Sequence, residues 1–314
     1  MRILSLSGFI PEQICDTVRF TQYEGDYSIS HFCGYVSDYI SQVLNDQEID
    51  GAVFPRSCDS SRIITGYLAN CEKFIHQIPV PACAGDGAVR YLAYHVRQYH
   101  KAVEQYYGGL SGDIGQRVVQ VNKRNEQIRI LYEKLGNSVS FRSYLGMIHE
   151  LLKKPLAEQV VPSGLGVCSV NGKRVYLTGS FLSDLTLVDA MEASGLCIVG
   201  DNLTESKRLF SAPPVQDGKD LYTEIAKSML SNKLSPTQNR FSSILSDDLE
   251  EIKKKEIQGV IFISQKYCEA YGYLYSVYKK MLDENRIPVL KLEVADSTDH
   301  RHYEFMLEAF ADRL

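Results

Sequence analysis

GVIFISQKYC, Gly259 to Cys268, decides how the rest of the chain is read. Val260, Ile261, Phe262 and Ile263 form a continuous run of β-branched and aromatic residues, the pattern of a strand buried on both faces. Leu274, Val277, Tyr278, Met281 and Leu282 then recur at helical spacing, and VLKLEV after Ile287-Pro288 is a second apolar run. The unit is strand, helix, strand. Cys268 therefore falls in the loop at the carboxyl end of a buried strand and just ahead of a helix, where open α/β sheets bind ligands. FPRSCDSSR repeats the arrangement earlier in the chain: Cys58 follows the strand-like residues 52–54, with Asp59 and Ser60 able to cap the next helix. Two thiols in equivalent places on two α/β halves can face one another across a cleft.

The chain has 314 residues, of which 44% are hydrophobic, enough to bury more than one core. No apolar run approaches the roughly 18 residues of a membrane span, and MRILSLSGFIPEQI lacks a secretory pattern, so the expected compartment is the cytoplasm. A formal charge of -5 and a pI near 5.9 leave no electrostatic footprint for nucleic acid. The one basic run, residues 253–255, adjoins Glu250, Glu251 and Glu256 and is a solvated helix face. Eight cysteines in such a chain are not a disulfide framework; each is an inert buried side chain or a metal or redox group.

Strands and helices alternate along both halves. Residues 3–6 read as a strand, followed by a turn at Gly8-Phe9-Ile10-Pro11 and a helix with Val36, Tyr39, Ile40, Val43 and Leu44 on its apolar face. Cys33 stands at the start of that helix. Then come the strand ending at Pro55, a helix through Ile63, Ile64 and Tyr67, and a strand over 74–80. A tyrosine-rich helix reaches Tyr107, and strand-poor helical stretches cover 114–135 and 141–152. A new strand starts at 174–178, followed by helix, strand and helix again before the unit that carries Cys268. The expectation is two mainly parallel α/β domains of Rossmann-like type: 1–107 with Cys33 and Cys58, and 166–314 with Cys268, joined by a helical connection over 108–165.

A cysteine near a strand end is more often a small buried hydrophobe than a ligand, and Cys15, Cys71, Cys168 and Cys197 are left under that reading. PACAGDG makes Cys83 a possible neighbour of a site. Cys33, Cys58 and Cys268 differ because all three precede helices, whose positive ends favour the thiolates that metals require. Their separations, 25 residues (58 minus 33) and 210 residues (268 minus 58), match no local zinc pattern, so a site made from them is assembled by the fold. Three thiolates without an obvious fourth ligand suit an iron–sulfur cubane with one iron left open. Ser180, Ser264 and Lys266 lie at or near strand ends without a GxSxG elbow, His300 and His302 fall in a polar loop, and no GxGxxG or Walker A sequence is present.

Taken together, these stretches resemble the 2-hydroxyacyl-CoA dehydratase and benzoyl-CoA reductase family, in particular its cluster-carrying subunits. FPRSCDSSR resembles the family's strand-end CD motif, and residues 107–135 its connecting helix with an Asn and Arg pair. KRVYLTGSFLSDLTLVDAMEASGLCIVGDNL is similar to the opening of its second domain, and GVIFISQKYC, RIPVLKLEV and LEAF to its end. The resemblance implies two flavodoxin-like domains with a 4Fe-4S cluster between them, held by Cys33, Cys58 and Cys268. It also implies one-electron chemistry: an activator ATPase with its own cluster delivers an electron, the thioester of an acyl-CoA becomes a ketyl radical, and dehydration or ring reduction follows. The open iron acts on substrate, and a second related subunit or a homodimer completes the assembly. Two positions depart from the family pattern. Thr204 stands where many members carry a cysteine, and YEFMLEAF stands where they carry RTRIEAF, so a non-catalytic electron-relay or scaffold subunit is the alternative.

Overall fold

The computed structural model describes residues 2–6, 9–21, 33–109, 113–167, 172–216, 218, 220–231, 237, 241–294 and 300–314. His31, Phe32 and Cys168 lie outside them. The first part of the chain runs β1 (Ile3–Ser5), β2 (Thr17–Arg19), α1 (Gly34–Asn45), β3 (Gly51–Arg56), α2 (Asp59–Tyr67), β4 (Phe74–Pro79) and α3 (Asp86–Tyr107). Two long helices follow, α4 (Ile114–Tyr132) and α5 (Phe141–Leu152). The second part runs β5 (Lys173–Gly179), α6 (Leu185–Ala193), β6 (Leu196–Asn202), α7 (Lys207–Phe210), α8 (Leu221–Ser231), α9 (Phe241–Lys254), β7 (Gly259–Gln265), α10 (Glu269–Glu284), β8 (Val289–Val294) and α11 (His300–Arg313).

The strands form two four-stranded sheets, in the orders β2-β1-β3-β4 and β6-β5-β7-β8, and every pairing is parallel. Counted from each sheet's own first strand the two orders are identical. Parallel strands need crossovers, and helices on both faces cover them, which is why β7 is buried at every position. Alternation along the strands sorts the cores. In the second sheet Val175, Leu177, Ile261 and Ile263 face α5, α6 and α11, whereas Tyr176, Val260 and Phe262 face α9 and α10. In the first, Ile3 and Val53 face α3, and Leu4, Ala52 and Phe54 face α1 and α2.

The connection between the sheets is not a separate body. The first half of α4 places Val118 in the first core, and its second half places Ile128, Leu131 and Tyr132 in the second. The helix α8 belongs in sequence to the second part, but Ile225, Ala226, Met229 and Leu230 pack against α3 in the first core. Its position is fixed by Arg97 Nη2 donating to Asp220 at 3.1 Å and by the 2.6 Å contact of His100 Nδ1 with Tyr222 Oη. An ionic hub ties β2 to α4: Glu12 accepts from Arg19 Nη2 at 2.6 Å and Arg124 Nη1 at 2.6 Å, and the two guanidiniums hold this buried carboxyl well below the usual range despite desolvation.

Two local expectations differ from the structure. The edge strand β2 has three residues, too few for a periodic pattern to register. His300 and His302 open α11 rather than lying in a loop, because Tyr303, Leu307 and Phe310 share a helical face buried in the second core.

Candidate active site at the junction of the two sheets

Cys58 and Cys268 occupy corresponding places. Each follows the third strand of its sheet, beside the first strand where the strand order reverses, and that reversal opens a crevice at the strands' carboxyl ends. Cys58 is the N-cap of α2, Cys268 of α10 and Cys33 of α1. The Cys58 sulfur accepts from the Ser61 N–H at 3.4 Å, whereas the side chains of Cys33 and Cys268 make no capping hydrogen bond. Each sulfur nonetheless stands at a helix N-terminus, whose positive end favours negative charge there.

The local sequence explains the aim of each thiol. Ser61 Oγ accepts from the Ser57 and Cys58 N–H groups at 3.1 and 3.0 Å and so closes the α2 cap. Before Cys268, Tyr267 has φ +65, a left-handed conformation that non-glycine residues seldom adopt, and the Cys268 N–H donates to Gln265 O at 3.1 Å. That tight turn swings the chain from β7 into α10 with the thiol directed at the first lobe. Phe181, after β5, crosses the other way. It packs in the first-lobe core with its ring 3.6 Å from that of Tyr35, and Cys268 joins the same cluster.

All three cysteines line one cavity of about 570 Å³, whose mouth carries Arg56, Asp59, Arg62, Glu269 and the exposed rings of Tyr267 and Tyr273. They also line a chamber of about 90 Å³ with Leu6, Phe9, Tyr35, Phe181, Ser180 and Thr204. Burial pushes the Cys33 thiol up to about 12, reinforced by the nearby Cys268 and Cys58 sulfurs and opposed by the Val36 N–H. Burial likewise pushes Cys268 up to about 11, opposed by the Tyr271 and Ala270 N–H groups. Without bound metal these two are neutral thiols near pH 7, and a metal must displace their protons to bind. Among the described residues, no group of three His, Cys, Asp or Glu side chains is arranged to hold a metal ion.

None of the other described cysteines lines either cavity. Cys15 is buried and 3.0 Å from Tyr99 Oη, Cys197 is buried, and Cys83 is exposed beside the cavity-lining Ala82. Residues absent from the site as read from sequence complete its inner wall. Thr204 Oγ1 lies 2.9 Å from Tyr271 Oη, which also accepts from Arg208 Nη1 at 2.6 Å; Arg208 is fully buried and donates to Asn202 Oδ1 and Gly179 O. Ser180, which sequence places at a strand end without a role, lines the chamber. Glu205, beside Thr204, is buried against Tyr35 of the opposite lobe. A TGS run after a strand is a signal of sorts for Ser180; Glu205 and Arg208 carry none, since their partners are distant in sequence.

The chain resembles known proteins over most of its length. The (R)-phenyllactyl-CoA dehydratase beta subunit of Clostridium sporogenes is 24% identical over 203 residues, which cover 63% of this chain and 50% of that subunit. The match thus spans half the length of that relative. Subunit beta of (R)-2-hydroxyglutaryl-CoA dehydratase from Acidaminococcus fermentans is 22% identical over 331 aligned positions, covering 92% of this chain and 83% of that one. The crystal structure of an SsGBP and GDP complex covers 99% of this chain with a TM-score of 0.26 and 11% identity, too low to bear on fold or ligand. The family model described as 2-hydroxyglutaryl-CoA dehydratase, D-component, matches residues 1–314, and the chain belongs to that family.

Proposed function

We propose that this chain is the iron–sulfur subunit of an ATP-activated 2-hydroxyacyl-CoA dehydratase or a related benzoyl-CoA-type reductase, with a 4Fe-4S cluster held by Cys33, Cys58 and Cys268. The observation that carries the proposal is the convergence of three thiols, 25 and 210 residues apart (58 minus 33, 268 minus 58), on one cavity between two sheets. The donor set suits the group. Soft sulfur ligands select iron–sulfur clusters, a cubane takes one thiolate on each of three irons, and the helix N-termini at all three cysteines suit the negative charge of the thiolates. A single zinc draws its ligands to about 2.3 Å from one centre, whereas these sulfurs border a shared space. When bound, the cluster supplies one-electron transfer and an open iron able to act as a Lewis acid.

The chain's own residues have separable tasks. Cys33, Cys58 and Cys268 bind; the Ser61 N–H orients the Cys58 sulfur, and the helix N-termini offset the charge of all three; Phe181, Leu6 and Phe9 give the inner chamber an apolar wall. Arg56 and Arg62 at the mouth are the cations available to an anionic acyl-CoA. Both relatives are named as beta subunits, which supports a second subunit as partner, and the activator ATPase enters with the family chemistry. An electron-relay or scaffold role is the second reading. It is favoured by YEFMLEAF, whose helix α11 buries Tyr303, Leu307 and Phe310 in the second core and lines neither cavity.

Anaerobic purification with iron and sulfide analysis and a visible spectrum tests the proposal. About four irons per chain are expected from the cluster type, with loss of iron and colour in Cys58→Ser. A colourless, metal-free wild-type chain overturns it. Turnover of an acyl-CoA by the loaded chain with its partner and activator, against electron transfer alone, separates enzyme from relay.

A further inference from the structure

Ser180 is buried, 1% exposed, and its hydroxyl has no hydrogen-bond partner in the protein, yet the residue lines the chamber that the three cysteines share. Its backbone is fixed at both ends: the Ser180 N–H donates to Ile263 O at 2.9 Å, and Ser180 O accepts from the Thr204 N–H at 2.9 Å. The preceding Gly179, at φ +114, allows this approach, because a Cβ there would stand 2.0 Å from Ile263 O. Three other hydroxyls along the chamber are satisfied. Ser61 donates to Cys58 O at 2.9 Å, Tyr35 reaches Phe20 O at 3.1 Å, and Thr204 pairs with Tyr271. Buried polar groups in native proteins are rarely left unmatched, and an unmatched one on a rigid support marks the place of a missing acceptor.

The acceptor's chemistry follows from the chamber. It is small, about 90 Å³, and the sulfurs of Cys33, Cys58 and Cys268 are among the acceptors along it. We infer that Ser180 is a positioning residue whose hydroxyl donates a hydrogen bond to a sulfur of the iron–sulfur group held by Cys33, Cys58 and Cys268, and so raises its reduction potential. The inference rests on the iron–sulfur proposal above. A donor to sulfur stabilises the more negative, reduced state more than the oxidised one, which is how hydrogen bonds set cluster potentials. Ser180 would add a side-chain donor from the second lobe to the backbone donor at Cys58.

The test is a mediated redox titration of the full, cluster-loaded chain with dithionite, each reduction adding one electron. Wild type, Ser180→Ala, Ser180→Thr and Ser180→Val are compared, with iron content measured for each. Ser180→Ala is expected to keep its iron but shift to a more negative midpoint by about tenfold in the reduced-to-oxidised ratio, about 59 mV for one electron. Thr and Val have nearly the same shape and differ by the hydroxyl, so this pair decides the matter even if Ser180→Ala loads poorly. Ser180→Thr is expected to stay near wild type and Ser180→Val to follow Ser180→Ala. Equal midpoints for Thr and Val in iron-loaded protein overturn the role of Ser180 and leave the cluster standing. A wild-type chain without iron overturns the iron–sulfur proposal itself.

Discussion

Replacing Glu205 with glutamine should remove a contribution to stability that drains away as pH rises from 4.5 to 7. Glu205 is buried between the lobes, and burial pushes its carboxyl up from 4.5 to about 7, opposed by its hydrogen bond with Tyr35 and by the Arg19 guanidinium on β2. The geometry agrees. Tyr35 Oη is within reach of both the Phe20 carbonyl, at 3.1 Å, and Glu205 Oε1, and one hydroxyl proton cannot serve two acceptors. A protonated Glu205 donating to Tyr35, with Tyr35 donating to Phe20 O, satisfies all three.

Because the folded value lies above the unfolded one, the native chain holds the extra proton between them. Its contribution is therefore fully present below pH 4.5 and is lost as pH rises toward 7. A shift from 4.5 to about 7, at about 1.36 kcal/mol per unit, amounts to about 3 kcal/mol. Asp201, pushed by burial up to about 6, acts in the same sense and His76 and His149, pushed by burial down to about 4, in the opposite one; all are retained in the variant, so the difference between the two proteins isolates Glu205. The assay is urea unfolding of metal-free wild type and Glu205→Gln at intervals from pH 4.5 to 8. The wild type should lose about 3 kcal/mol more than the variant over that range. Parallel profiles would mean that Glu205 is ionised in the folded chain and that the Tyr35 contact works in the opposite sense.

Glu12→Gln removes the carboxylate shared by Arg19 and Arg124 and should cost about 3–5 kcal/mol in chemical denaturation at pH 7, as breaking a buried ion pair does. The same glutamate has the opposite pH signature to Glu205: its folded value is depressed, so its contribution is present above the unfolded value of 4.5 and drains as pH falls through the acid range. Gly179→Ala should destabilise by roughly 3 kcal/mol or more, read as a lowered unfolding midpoint, since the methyl would meet Ile263 O at 2.0 Å at φ +114. An unchanged midpoint would show that β5 and β7 can separate at this end at little cost.

Local patterns determined much of this protein. Runs such as Val260 to Ile263 are apolar without alternation because helices cover both faces of a parallel strand, so the class of fold, and the places of Cys58 and Cys268 at strand ends ahead of helices, follow from neighbours in sequence. The amphipathic spacing of α1 likewise puts Cys33 at a helix start. Tertiary structure alone decided that the three thiols share a cavity, that α8 leaves the second part of the chain to pack on α3, and that Ser180 lines the thiols' chamber with its hydroxyl unpartnered. It also buried Glu205 against Tyr35, 170 residues away in sequence. Periodicity records which face of an element avoids water, a property of residues three or four apart in a helix and two apart in a strand. Which buried faces then meet depends on how the sheets are set against one another, and that relation is carried by contacts distributed over the whole chain.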